Sequence, residues 1–183
     1  MRCFDEMTSP IGQLTLVVDR GVVTFIAMPD QAHLPDRAFF GRKSPGCANE
    51  LKEQLSAYFT GDLAVFPSVA VGQGTEFQQL VWKALLTIPY GETSTYGAIA
   101  KQIGSPAAVR AVGGAIGRNP LSIAVPCHRV LSASGNLTGY AGGLDRKLFL
   151  LRHEGVHVSA TVESSMKETK SATSSSGQSS WRK

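Results

Sequence analysis

Residues 95–120 read TYGAIAKQIGSPAAVRAVGGAIGRNP, and this stretch decides how the second half of the chain folds. Tyr96, Ile99, Ala100 and Ile103 recur at i, i+3, i+4 and i+7, the spacing of a helix that buries one face. Gly104 suits the left-handed residue that ends such a helix, Ser105 suits the cap of a second one, and Pro106 its first position. Two short helices joined by a tight turn make a helix-turn-helix. In the second helix Val109, Val112 and Ile116 form an inward stripe, while Arg110 points elsewhere with only Pro106, Ala107, Gly113 and Gly114 around it. Gly113, Gly114 and Gly117 each cost a helix up to about 1 kcal/mol relative to alanine, so close approach by another backbone is the expected compensation. That backbone is either a neighbouring helix or a nucleic acid. Small residues suit the minor groove, where a single side chain can enter the base stack and open it.

The charge distribution supports an anionic partner. Residues 74–155 carry eight Lys and Arg against four Asp and Glu, residues 1–73 six against eight, and residues 156–183 four against two. A basic segment behind a mildly acidic one points to nucleic acid, although charge alone leaves an ordinary basic surface open. Cys3, Cys47 and Cys127 are odd in number and scattered, which suits unpaired thiols in a reducing, intracellular compartment. The first ten residues, MRCFDEMTSP, include Asp5 and Glu6 and lack an apolar run, so they read as neither a signal peptide nor a membrane span.

Working outward, GQLTLVVDRGVVTFIAM (residues 12–28) alternates Leu14, Leu16 and Val18, breaks at Asp19-Arg20-Gly21, and resumes through Val23, Phe25 and Ala27, which predicts a hairpin. Residues 30–48 read as loop. ELKEQLSAYFTGD then places Leu51, Leu55, Tyr58 and Phe59 on one helical face that ends near Gly61. After Gly72 and Gly74, Thr75 and Gln78 have capping-box spacing ahead of a stripe of Phe77, Leu80, Val81, Ala84 and Leu85. The expected organisation is α+β: a small α/β region over 1–73, a mainly helical region over 74–155, and a tail over 156–183. Twelve of the 25 residues from Ser159 are Ser or Thr, which predicts disorder there.

LSIAVP, residues 121–126, reads as a buried strand that delivers Cys127 at its end within VPCHRV, residues 125–130. His128 and Arg129 are electropositive neighbours able to lower a thiol pKa or take its proton, with His128 acting through a water if the two side chains do not touch. On the Cys-His pair by itself the favoured reading is an inert buried thiol, the usual fate of a cysteine on an apolar strand. Zinc binding by Cys127, His128, His153 and His157 lacks paired-ligand spacing. Beyond a Gly135-Asn136 turn, Tyr140 sits on a loop with Gly139, Gly142 and Gly143 that could close over a flat ligand. Leu144, Leu148 and Leu151 then mark a last helix ending at Glu154. A carboxylate there opposes the macrodipole, so a compensating partner such as His128 is expected, with surface exposure the alternative.

Taken together, PYGETSTYGAIA, SPAAVRAVGGAIGRNP, VPCHRV and GYAGGLDRKLFLLRHEG closely resemble the O6-alkylguanine-DNA alkyltransferases, over about Thr75 to Gly155. The resemblance implies a ribonuclease H-like sheet and helix followed by a winged helix-turn-helix-like domain. It implies stoichiometric repair of double-stranded DNA from the minor groove by a monomer, without cofactor or metal, in the cytoplasm or in a eukaryotic nucleus. On the same resemblance, the alkyl group would leave the O6 of a flipped guanine, or the O4 of thymine, for Cys127. His128 would take the thiol proton through a water, Glu154 would polarise His128, and Asn119 would join the recognition helix to the active-site turn. Arg110 would fill the gap left by the base, Tyr96 would help rotate the nucleotide, and Gly97 and Ser105 would lie near the DNA backbone. Tyr96, Val130, Tyr140, Ala141 and Gly142 would line the base pocket. Ala141 stands where many relatives carry serine, so one hydroxyl contact is lost. The competing reading is a DNA-binding regulator or damage sensor with an inert thiol.

Overall fold

The structure, a computed structural model, describes residues 1–67, 71 and 73–158, so Gly72 of the expected linker and the expected Ser/Thr-rich tail from Ser159 lie outside the described residues. Strands β1 (Arg2–Ser9), β2 (Gly12–Asp19) and β3 (Val22–Ala27) form an antiparallel meander, and β4 (Arg42–Lys43) lies parallel to β1, giving the order β3-β2-β1-β4. The expected hairpin is β2–β3. Its turn uses two left-handed residues, Arg20 (φ 52°) and Gly21 (φ 79°), as a turn matched to strand twist requires.

Strand β1 went unread in the sequence because Asp5 and Glu6 interrupt its alternation. Asp5 is nevertheless buried, its carboxylate taking the Lys52 ammonium at 2.6 Å and the Gly46 N–H at 2.7 Å. Residues 30–48 are also more ordered than a loop, since they hold a 3-10 turn at Arg37–Phe40 as well as β4. The sheet is covered on both sides: Leu14, Leu16 and Ile26 join the main core, while Phe4, Val17, Phe25 and Ala27 pack under Phe40. Helix α1 (Asn49–Thr60) buries Leu51, Leu55 and Tyr58 and stops at Gly61, φ 88°.

Helix α2 (Glu76–Leu85) has the predicted reciprocal cap between Thr75 and Gln78, worth about 1 kcal/mol. Its buried face is rotated from the expected one. Trp82 is buried and its indole N–H donates to the Ala115 carbonyl at 2.9 Å, while Leu80 is left half exposed and Phe77 partly so. The large anchored ring decides which face goes in. Strand β5 (Ser94–Thr95) leads into α3 (Tyr96–Gln102), capped by Thr95 Oγ1, which accepts the Ala98 N–H. Gly104 is left-handed as predicted, φ 73°.

Helix α4 (Val109–Gly117) begins later than expected. Ser105 to Ala108 close a turn through Ala108 N–H and the Ser105 carbonyl, 2.9 Å, so Ser105 is not its cap and Pro106 precedes it. Val109 is exposed, and Ala115 joins Val112 and Ile116 inside. The predicted strand over residues 121–126 is absent. Only single bridges form there, Leu121 to Ile26 and Ser122 to Val125, because the chain reverses at Ile123, φ 75°. Cys127–Arg129 make one 3-10 turn, β6 (Val130–Leu131) pairs parallel with β5, and α5 (Leu144–His153) buries Lys147, Leu150 and Leu151. Leu144 and Leu148 of the expected stripe are only half-buried. Among the described residues, no helix is long and apolar enough to cross a membrane.

Candidate active site

The reversal between α4 and the 3-10 turn is built around Asn119. Its side-chain oxygen accepts the Leu121 N–H at 3.0 Å, and its Nδ2 donates to the Val125 carbonyl at 2.8 Å and to Cys127 Sγ at 3.1 Å. Within that clasp, Val125 N–H bonds Leu121 O, and Pro126 (φ −80°, ψ 63°) makes a three-residue turn closed by Cys127 N–H to Val125 O, 2.8 Å. A β-branched residue such as Ile123 enters the left-handed region at a cost of about 1–3 kcal/mol, which this bonding and complete burial sustain. The Pro120 carbonyl accepts the Ile26 N–H at 2.8 Å, so the turn is also tied to β3.

Cys127 is buried, and burial pushes its thiol pKa up more than the Asn119 hydrogen bond and the Lys147 charge pull it down. His128 is fully buried, its Nε2 lying 2.7 Å from Glu154 Oε1. The Glu154 carboxyl would rise with burial, yet the hydrogen bonds from His128 and Arg129 hold it down to about 2. An ionised carboxylate only accepts, so Nε2 carries the proton and Nδ1 keeps its lone pair. Nδ1 has no hydrogen-bond partner among the described residues. Burial lowers the His128 pKa beyond what Glu154 restores, keeping the ring neutral.

The partner expected for Glu154 is thus present, along with two that the sequence reading missed. Arg129 grips the carboxylate through Nε at 2.7 Å and Nη2 at 3.0 Å, so it serves Glu154 directly and not the thiol. The Tyr58 hydroxyl, from α1, donates to Oε1 at 2.7 Å. Lys147 was missed as well. It is fully buried, its ammonium donating to the carbonyls of Val130 at 2.6 Å and Thr138 at 2.7 Å, and burial lowers its pKa to about 8. Position 147 lies at i+3 from Leu144 within the predicted stripe, so a lysine inside an apolar face was the available signal.

Tyr96, Arg110, Gly113, Thr138, Tyr140 and Ala141 line a cleft of about 510 Å³, and the Tyr96 and Tyr140 phenols, their pKa raised first by burial, lie near enough to Cys127 to be raised further by it. The Tyr96 hydroxyl donates to Thr138 O at 3.1 Å, tying α3 to the glycine loop. Val130 is buried, as is Gly142 within that loop, whereas Gly97 is exposed and Ser105 half-buried on the α3–α4 surface. Arg110 is exposed. Among the described residues, no backbone of another helix comes within 4 Å of where a Cβ would sit on any of the three glycines. A Cβ on Gly113 would meet the Tyr96 ring at 3.8 Å, one on Gly114 the Arg118 side chain at 3.4 Å, and one on Gly117 nothing within 4 Å. Tight packing against a neighbouring helix therefore does not explain them. No group of three or more His, Cys, Asp or Glu among the described residues could hold a metal ion.

A buried thiol followed by a neutral histidine that is paired with an ionised glutamate, close to a cleft lined by the small-residue helix pair, is the class of site expected of a cysteine-nucleophile protein. Residues 76–156 match the family described as 6-O-methylguanine DNA methyltransferase, DNA binding domain. The chain is 54% identical over 151 residues to the methylated-DNA–protein-cysteine methyltransferase of Mycobacterium tuberculosis H37Rv, covering 82% of this chain and 91% of that one. It is 50% identical over 155 residues to the Methanosarcina acetivorans protein of the same name, covering 80% and 94%. The crystal structure of Mycobacterium tuberculosis OGT in complex with DNA superposes with a TM-score of 0.80 at 51% identity, over 84% of this chain and 93% of that one. The chain belongs to the methylated-DNA–protein-cysteine methyltransferase family.

Proposed function

We propose that this protein repairs alkylated DNA directly, moving a methyl or larger alkyl group from the O6 of guanine, and from the O4 of thymine, to Cys127 in a single irreversible turnover. The observation that carries this reading is the Asn119–Cys127–His128–Glu154 constellation close to the Tyr140 cleft. Family membership and the DNA-bound relative make methylated DNA its substrate.

Residues 1–73 act as a ribonuclease H-like domain, residues 74–155 as a winged helix-turn-helix-like catalytic domain, and 156–183 as an appended tail. The protein works as a monomer wherever its DNA lies, in the cytoplasm or in a eukaryotic nucleus. The α3–α4 pair enters the minor groove, with Gly97 and Ser105 against phosphates. Arg110 enters the stack, Tyr96 turns the nucleotide outward, and the base lies against Val130 and the Tyr140, Ala141 and Gly142 backbone. Extrusion costs a few kcal/mol, which the arginine and the cleft contacts offset.

Burial disfavours both a resting thiolate and a resting imidazolium, so the pair waits uncharged. As Sγ approaches the alkyl carbon, the thiol proton passes through one water to Nδ1 of His128, and Glu154 stabilises the imidazolium through Nε2. The S–C bond forms, the C–O6 bond breaks with its electrons going to oxygen, and the proton taken from the thiol ends on the guanine. The products are unmodified guanine and a thioether, which has no ready route back to a thiol. Incubation with DNA carrying a radiolabelled methyl group will label Cys127 once per chain and leave Cys127→Ala unlabelled. Binding without transfer would favour the damage-sensor reading.

A further inference from the structure

We infer that Tyr58, on α1 of the first half of the chain, is a positioning residue for the reaction, setting how strongly Glu154 draws on His128. Three donors converge on the single oxygen Oε1: His128 Nε2 at 2.7 Å, Tyr58 Oη at 2.7 Å and Arg129 Nη2 at 3.0 Å. The phenol and the imidazole therefore compete for the same lone pairs. Each hydrogen bond from Tyr58 withdraws electron density from the oxygen that His128 uses, which makes Glu154 a weaker partner for the imidazolium than it would be without the phenol.

The geometry is fixed from both ends. Tyr58 has no exposed surface, and its ring packs on Phe59, Phe66, Tyr90 and His153. The carbonyl of Tyr58 faces His153 Nε2 at 2.7 Å, so the last turns of α1 and α5 are joined one residue from Glu154. Burial, then Glu154, raises the phenol pKa, so Tyr58 stays protonated and acts only as a donor toward the carboxylate. The groups facing this site are few. His128 senses Glu154, Arg129 and Lys147, and Glu154 is sensed in turn by Tyr58, Tyr90 and Tyr140. Of the three tyrosines, Tyr58 is the one whose hydroxyl is hydrogen-bonded to the carboxylate.

This inference rests on the alkyl-transfer reading for its kinetic test only. In single-turnover transfer from methylated duplex DNA, the rate falls at low pH as His128 becomes protonated. Tyr58→Phe removes the donor and keeps the ring, so Oε1 binds the imidazolium more strongly and the acidic limb moves to higher pH, by about one unit. Site-specific 3-fluorotyrosine at position 58, a stronger donor of similar shape, moves it the other way. A loss of rate that is uniform across pH, or limbs that coincide in all three proteins, would overturn the inference and leave Tyr58 a packing residue. The same ordering is read independently of transfer from the His128 ring-nitrogen shifts by NMR. Should the unsubstituted protein transfer nothing while those shifts still move in opposite directions, the repair reading fails and the Tyr58 coupling stands.

Discussion

Replacing Asn119 by alanine tests whether one side chain holds the reactive turn together. The substitution removes three buried hydrogen bonds, to Leu121 N–H, Val125 O and Cys127 Sγ. Val125 O keeps the Cys127 N–H, so only Leu121 N–H is left buried and unsatisfied. An orphaned buried donor costs about 1–3 kcal/mol and each of the other bonds about 1 kcal/mol. Relaxation of Ile123 out of the left-handed region returns about 1 kcal/mol, since the clasp no longer enforces it. The net loss is about 3 kcal/mol, a fall in Tm of about 9 °C for a chain of this length. Asn119→Asp separates the structural part from the chemical part. It keeps an acceptor for Leu121, but its second oxygen cannot donate to the Val125 carbonyl that Nδ2 met, and it sets a carboxylate beside the thiol, raising further a pKa that burial already raises. Calorimetry should therefore show no gain in stability for Asp over Ala, while single-turnover transfer at neutral pH should rank Asp at or below Ala. A Tm for Asn119→Ala within about 3 °C of the unsubstituted protein, together with normal transfer by Asn119→Asp, would refute the reasoning.

Three further predictions follow from other parts of the site. The Lys147 pKa is lowered on folding from 10.5 to about 8, so between those values the unfolded chain binds more protons and stability from this group rises with pH; Lys147→Met should remove that rise in urea titrations. A Cβ on Gly142 would lie 2.5 Å from Met28 Cε and 2.7 Å from its Sδ, so Gly142→Ala should cost about 1–3 kcal/mol by overpacking, and Met28→Ala should cost less in the Gly142→Ala background than alone in a denaturation cycle. Arg110→Ala should slow repair of duplex by about 10-fold or more, the worth of part of the flipping cost, yet leave repair of single strands nearly unchanged, and equal losses on both substrates would count against insertion into the stack.

What the sequence made legible was local and periodic. The β2–β3 hairpin, α1 with its Gly61 stop, the Thr75–Gln78 cap and the left-handed Gly104 all depend on neighbours within a few positions, and all appear where expected. The failures share one cause, a tertiary partner far along the chain. Asp5 is tolerated in β1 because Lys52 meets it, and Trp82 displaces Leu80 from the buried face because Ala115 receives its indole. The segment from Leu121 to Val125 has strand composition but is bent by Asn119 into a reversal. At the site, the association of His128 with Glu154 was foreseen because both carry an obvious chemical need. Tyr58, Arg129 and Lys147 were not, since a tyrosine on an apolar face and a lysine inside a leucine stripe announce their partners only in three dimensions.

Those distant contacts also bear on why the first half of the chain is there at all, since Cys127, His128, Glu154 and the cleft residues nearly all lie beyond residue 95. The glycine loop is propped from that half: Ala32 N–H bonds Ala141 O, and the Tyr140 hydroxyl reaches Met28 Sδ at 3.7 Å. The Arg146 guanidinium binds Ile11 O, Pro29 O and Gly142 O together. The reactive turn hangs on Ile26 through Pro120, and Glu154 is met by Tyr58. A loop of glycines and a strained reversal have little stability of their own, and the cleft proposed to hold the base needs its walls fixed before a base arrives. Residues 1–67 supply that rigidity through backbone groups and a few buried side chains. It follows that activity should be lost from a chain truncated before Gly74 even if its helices still form, and that the loss should appear as slow transfer from bound DNA more than as weak DNA binding, because the α3–α4 surface takes none of these contacts.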